Sequence, residues 1–385
     1  MVMGAVMYLS GLITGPMAHK FTARPVIIAG AATSSIGAII SYIAPSIDVM
    51  TFTLGVVHAI GGGMVFIVAP TIINEHFDKR KGLAMGLNYT GVTMGLFVFP
   101  KLLEYLTKLY GLRGSLLIFG AVLMNGLAFS LFTRTPKWIN TRTENQGIAE
   151  NSSTSRNEKA ERTLQYGLSV LKHPTFYLIM YSFNAYSLVF ECYITLFVDF
   201  AIDRGVPVSS AVTISSMGAI AEIAGRFIIP AAVDRGLLGN KAVMVLLLSA
   251  EGIILILLPV ISNHVQIFAA DLVIAFLVGT GMVVFPMILA SYFGQERLSM
   301  SFGMVIATSG MLSFAKPSLV GYFRDRVGAY DWLFVICGTL NLVGTAVWAL
   351  VITLEARHKK NLKIQSADHT SKAADFMEIQ NANKN

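Results

Sequence analysis

Long apolar stretches separated by short polar breaks occupy most of the chain. Eleven of them approach the roughly 20 residues a helix needs to cross a hydrocarbon layer: 1–18, 25–45, 49–73, 82–105, 112–132, 175–200, 207–230, 242–261, 265–290, 299–322 and 332–353. Two longer polar stretches interrupt the pattern. Residues 134–174 are mixed in charge and poor in apolar side chains, as is the stretch from 354 to 385. Such composition cannot bury enough apolar surface to order a chain. The pattern therefore predicts an all-α integral membrane protein. It has a first helical bundle at 1–133, a disordered linker at 134–174, a second bundle at 175–353 and a disordered tail at 354–385.

Composition sharpens this. The 385 residues are 54% hydrophobic and only 13% charged, against about 25% charged in soluble domains. There are too few polar side chains to cover a soluble globule of this size. The net charge of +7 gains meaning from its placement. If the loop at 19–24 is put in the cytoplasm and the spans alternate, that side collects Lys20, Arg24, Lys79, Arg80, Lys81, Arg235, Lys241 and Arg297. The other side collects Lys108, Arg113, Arg204, Arg324 and Arg326. The positive-inside rule then places linker and tail in the cytoplasm. Basic residues confined to short loops form no stripe for nucleic acid. Cys192 and Cys337 both lie in apolar segments and read as buried thiols; they make neither a disulfide framework nor a metal set. No residue cluster has metal-ligand spacing, and no nucleophile sits in a recognisable elbow, so no enzyme is predicted.

The most informative stretch is SSMGAIAEIAGRFIIPAAVDRG at 215–236. Glu222 and Arg226 lie inside a span, four residues apart and so on one helix face. Each charge at membrane depth costs about 2.5–3.5 kcal/mol on the mildest scale. A planar guanidinium suits a carboxylate bidentately. The pair thus reads as a substrate and ion element, with a structural ion pair as the alternative.

The chain also repeats itself. PTIINEHFDKRKGLAMG from Pro70 to Gly86 is echoed by PMILASYFGQERLSMSFG from Pro286 to Gly303. Gly15-Pro-Met-Ala-His19-Lys20-Phe21, followed by Arg24, is echoed by Pro230-Ala-Ala-Val-Asp234-Arg235-Gly236. Runs such as SSIGAIIS and AIGGGMVF read as faces where membrane helices pack closely.

With HKFTARPV at 19–26, EHFDKRKGLAMGL at 75–87, YGLRGSLLIFG at 110–120 and the acid-x-x-x-Arg pair at 222–226, the chain resembles the monocarboxylate transporter family. The resemblance covers 1–133 and 175–353. It implies a major facilitator fold, two helical bundles related by pseudo-symmetry that rock about a midplane site. Numbered by that family, eleven of twelve transmembrane helices are present, helices 2–12. The family's helix 1, with its acidic, glycine and tryptophan motif, is not in this sequence, which reads as N-terminally incomplete. The resemblance implies proton-coupled movement of a lactate- or pyruvate-like monocarboxylate across the plasma membrane. Arg226 would hold the substrate carboxylate and Glu222 would take part in proton transfer. Glu222 departs from the family's Asp by one methylene. The loops carrying His19, Lys20, Arg24, Asp234 and Arg235 resemble the gating signature G-x-x-x-D-R-x-G. His19 replaces the acid in the first copy and Pro230 the glycine in the second. Two other readings stay open: a uniporter of a larger solute such as an aromatic amino acid or thyroid hormone, and a non-transporting, truncated or receptor-like relative. No cofactor is expected beyond the proton as coupling ion. The implied partners are a small organic carboxylate and membrane lipid. A single-span immunoglobulin-type chaperone, which some members need, stays open.

Other intramembrane polar residues carry weaker expectations. Glu251 and His58 join Glu222 as proton-coupling candidates. Lys101 and Lys316 lie towards the outer ends of their spans, as substrate contacts or as side chains reaching for the membrane surface. Asp271 reads as solvated near an outer end, and Pro317 beside Lys316 predicts a break in its helix.

Overall fold

The structure, a computed structural model, describes residues 2–77, 79–134 and 165–382. These residues are helical with no strand. The helices are α1 (Val2–Leu9), α2 (Gly11–Phe21), α3 (Ala23–Ile40), α4 (Ile47–Phe52), α5 (Ala59–His76) and α6 (Lys81–Phe132) in the first half. In the second half they are α7 (Pro174–Asp203), α8 (Val208–Asp234), α9 (Asn240–Leu257), α10 (His264–Phe293), α11 (Leu298–Ser313), α12 (Lys316–Tyr322) and α13 (Asp331–Ala382). Eight helical segments among the described residues are long and apolar enough to span a membrane by themselves. The bent pair Gln295–Ser313 and Lys316–Val327 makes a ninth.

Local chemistry sets the breaks. The 52 residues of α6 would measure about 78 Å as one rod, far more than a bilayer core of about 30 Å. It turns at Gly111, whose φ of 68° ends one helix and starts another. Pro317 at the start of α12 accompanies the expected break, a bend of 41°. Asn263 caps α10 by accepting from Val265 N at 3.0 Å, and Pro174 opens α7, where its missing N–H is harmless. Between α2 and α3 the turn falls on Thr22, the one non-glycine residue with positive φ (71°) among those described. The polar tail, expected to be disordered, continues α13 as helical backbone to Ala382. From Glu355 to Ala382 it holds neither glycine nor proline, so nothing in its sequence interrupts the i→i−4 ladder. Of the predicted linker, 135–164 lies outside the described residues.

Charged residues tie helix ends together on both sides. On one side Lys241 pairs with Glu355, and Arg24 reaches Leu131 O at 3.5 Å. On the opposite side Arg204 pairs with Asp331 at 2.7 Å, and Arg113 donates to Ala44 O at 3.1 Å. The first of these ends carries the basic loops around residues 20–24, 79–81 and 235–241.

Glycines set how closely the helices approach. A Cβ on Gly61 would lie 2.3 Å from Ser34 N, and one on Gly37 2.7 Å from His58 N, so the small-residue runs are packing faces. The second half holds the larger apolar core, with Phe176, Phe200, Phe285, Phe302 and Phe334 almost fully buried. Ile67 of α5 is buried in that core. Met85 and Tyr89 of α6 pack on Val283 and Met287 of α10. The two halves therefore share apolar surface.

Candidate functional site

Helix α8 carries Glu222 and Arg226 into the joint between the halves. Its neighbour there is the first segment of α6, and a glycine permits the approach: a Cβ on Gly86 would lie 2.4 Å from Arg226 O. Arg226 is 1% exposed and Glu222 8%. The guanidinium Nη2 pairs with Glu222 Oε1 one turn away. Its Nη1 donates to Tyr89 O and to Thr93 Oγ1, both on α6. Thr93 Oγ1 also lies 3.5 Å from Glu222 Oε1. Arg226 is thus bonded to both halves of the protein at once. Its Nε and the Tyr89 hydroxyl have no hydrogen-bond partner. Removing one member of such a pair leaves a buried charge, which costs about 3–5 kcal/mol. Arg226 cannot shed its charge by losing a proton, so the site always needs an anion or equivalent acceptors.

At the basic end a second contact joins the halves. The Asp234 carboxylate, at the end of α8, accepts from Gly82 N at 3.0 Å and Leu83 N at 3.1 Å. These are unpaired donors of the first turn of α6, where an anion is favoured by the helix dipole. Nearby, Thr71 and Ser299 share a hydrogen bond of 2.7 Å across the halves.

The remaining predicted residues are distributed differently. Of the gating loops, Asp234 makes the cross-half contact. Lys20 lies 5.3 Å from the Phe21 ring centroid, Arg24 stays within the first half, and Arg235 is exposed. The side chain of His19 lies outside the described residues. His58 Nδ1 is 2.9 Å from Ser34 Oγ and 3.0 Å from Ser34 O, buried between α3 and α5. Glu251 is fully buried on the core face of α9, with both oxygens unpartnered. Lys101 is exposed on the same helix as Thr93, eight residues on, about 12 Å along the axis. Lys316 pairs with Glu191 of α7 at 2.7 Å. Asp271, expected to be solvated, is fully buried and accepts from Tyr193 Oη at 2.8 Å. A helix–helix interface, invisible in one segment's hydropathy, encloses it. Cys192 and Cys337 are buried free thiols, as expected.

A cleft of about 340 Å³ lies elsewhere, lined by Asp199, Asp203, Arg324 and Tyr330. It contains none of the predicted site residues. Sequence reasoning missed Tyr89 and Thr93, the partners on the opposite half. The only signal for them was their spacing after Gly86, a residue that the internal repeat had marked.

With the fold and this geometry in hand, the chain can be set beside known proteins. Residues 1–285 match the Major Facilitator Superfamily model. The chain belongs to the major facilitator superfamily. Within it, the chain is related to monocarboxylate transporters. It is 24% identical over 369 residues to monocarboxylate transporter 2 of Homo sapiens, covering 91% of this chain and 75% of that one. It is 25% identical over 416 residues to monocarboxylate transporter 9 of Pongo abelii, covering 87% and 81%. The solved structures agree on the fold. The Escherichia coli fucose:proton symporter FucP superposes with a TM-score of 0.68 at 14% identity, covering 91% of this chain and 90% of FucP. The proton:xylose symporter XylE gives 0.64 at 13%, covering 90% and 83%. The chain is a multi-pass membrane transporter of this superfamily, not an enzyme.

Proposed function

We propose that this transporter carries small monocarboxylates of the lactate or pyruvate kind across the plasma membrane, each with one proton. Arg226 is the carboxylate-binding group and Glu222 the proton-accepting group. The observation that carries this reading is the position of Arg226. It is a buried, permanently charged fork donating to Tyr89 and Thr93 on one half while paired with Glu222 on the other. A substrate carboxylate arriving at the guanidinium competes with Glu222 for the same donors. Displaced from its cation, Glu222 takes a proton, because an unpaired carboxylate at that depth is costly. One anion and one proton then move together. The latch of Asp234 on α6 and the Thr71–Ser299 bond close one face of the joint. They would have to break for the site to face that side, as alternating access requires. The basic loops at this end support its assignment to the cytoplasm.

Uptake of labelled carboxylates tests the reading in cells expressing the chain, with outside solution at about pH 6 and at about pH 7.5. Uptake is expected to rise at the lower pH and to vanish in Arg226→Ala at equal surface level. Unchanged uptake in that variant would reduce the pair to a structural ion pair. Uptake lost in the variant yet indifferent to pH in the parent would leave Arg226 as a carboxylate site in a uniporter.

A further inference from the structure

Asp271 has no place in the reading above, although it lies one helical turn from it. It is fully buried near the start of α10. Its Oδ1 accepts from Tyr193 Oη of α7 at 2.8 Å, while Oδ2 has no partner. Both groups rest on α8 at Gly218. A Cβ there would come within 2.4 Å of Asp271 Oδ2 and 2.6 Å of Tyr193 Oη. Gly218 precedes Glu222 by four residues, on the same face of α8. Further along, α8 and α10 stay in backbone contact, where a Cβ on Gly279 would lie 2.0 Å from Glu222 O. Among the described residues the titratable group bonded to Asp271 is Tyr193 from α7; Glu222 follows one turn along α8, with Arg226 beyond it. Two polar groups thus lie along α8: Asp271 with Tyr193 at Gly218, and Glu222 with Thr93 and Arg226 about one turn, 6 Å, further on.

We propose that Asp271 is a second protonation site that exchanges its proton with Glu222, Tyr193 positioning Asp271. The inference rests on the proton coupling proposed above. Asp271 lies towards the end opposite the Asp234 latch, so it is the carboxyl nearer that face. Transfer of one proton from Asp271 to Glu222 leaves Asp271 a carboxylate that accepts from Tyr193. It neutralises Glu222 as Arg226 turns to the substrate. The bare Oδ2 is where the next proton binds. Gly218 is required because any side chain there would separate the Asp271–Tyr193 pair from α8.

The test compares two assays in vesicles containing the full chain at matched amounts. One is net carboxylate uptake driven by an inward proton gradient; the other is exchange of labelled for unlabelled carboxylate at symmetrical pH, which needs no net proton movement. In Asp271→Asn, net uptake is expected to fall at least about tenfold, equivalent to about 1.4 kcal/mol, while exchange continues. Asp271→Glu is expected to restore gradient-driven uptake, and Tyr193→Phe to shift its pH profile. Net uptake in Asp271→Asn with the parent's pH profile would overturn the inference and leave the Arg226 reading standing. Loss of exchange together with net uptake at matched amounts would also overturn it, as a packing defect. A parent indifferent to the proton gradient would overturn the coupling reading and this inference together.

Discussion

At one crossing between the halves, α2 lies against α11; at the other, α8 lies against α6. The internal repeat makes these two crossings equivalent. Gly86 and Gly303 correspond, and so, four residues before Gly15 and Pro230, do Gly11 and Arg226. The backbones meet alike: a Cβ on Gly303 would lie 2.7 Å from Gly11 O, and one on Gly86 2.4 Å from Arg226 O. The fillings differ. Where α8 and α6 hold Arg226, Tyr89, Thr93 and Glu222, the other crossing holds Gly11, Ile306, Gly310 and Met7. One crossing is a close seam of small and apolar residues; the other uses the same close approach to hold a charge. The repeat keeps the close approach of backbones at both crossings, whereas the buried charges occur at one of them. The latches diverge in the same way. Asp234 caps α6 with a carboxylate, while its counterpart His19 has no negative charge to offer.

Several substitutions would break or sharpen this contrast. The largest effect is expected at the charged crossing. Glu222→Gln leaves Arg226 buried without its anion, and about 3–5 kcal/mol of stability should be lost, read as a fall in the detergent-solubilised protein's melting temperature. Glu222→Gln with Arg226→Met should recover most of that stability and none of the uptake. Next come the seams. Gly86→Ala and Gly303→Ala each place a methyl against a backbone carbonyl, and both should lower uptake at least about tenfold, the signature of about 1.4 kcal/mol or more of strain in the closed joint. If Gly303→Ala alone were harmless, the equivalence of the crossings would fail. Removing the latch should be milder. Asp234→Asn removes the charge but keeps an amide oxygen that can still accept from a helix N–H, so the expected cost is about 1 kcal/mol. A cysteine placed at Ser299 should then react several-fold faster with an impermeant thiol reagent applied from the basic end. The native thiols are buried and should stay silent. The smallest expected effect is at Thr22, where φ is 71°. Thr22→Gly relieves that conformation and should stabilise by about 1 kcal/mol in a thermal unfolding assay.

Much of this was readable along the chain because a membrane forces a simple code. Among the described residues the expected spans fall largely on helix, since backbone groups in hydrocarbon must be satisfied within the helix itself. The break beside Pro317 was readable because proline removes a donor. The break at Gly111 was readable only as a limit on length. Glu222 and Arg226 stood out because charges are rare at that depth and helical spacing fixes which face they share. Asp271 misled because hydropathy reports distance from a helix end and not what covers it. Polarity within a span marked His58 and Glu251 as well; the structure sets one against Ser34 and buries the other in the second half.

The sequence by itself determined the spans, their repeat, the acid–arginine pair and the basic loops, all of which follow from local rules of burial, spacing and charge. Only the tertiary structure decided that Arg226 bonds across the joint to Tyr89 and Thr93, that Asp234 caps the helix of the other half, and that Asp271 meets Tyr193 over Gly218. Those contacts join residues 78 to 152 positions apart. They exist because glycines let particular helices approach backbone to backbone. That is a property of two surfaces together, and no single stretch of sequence encodes it.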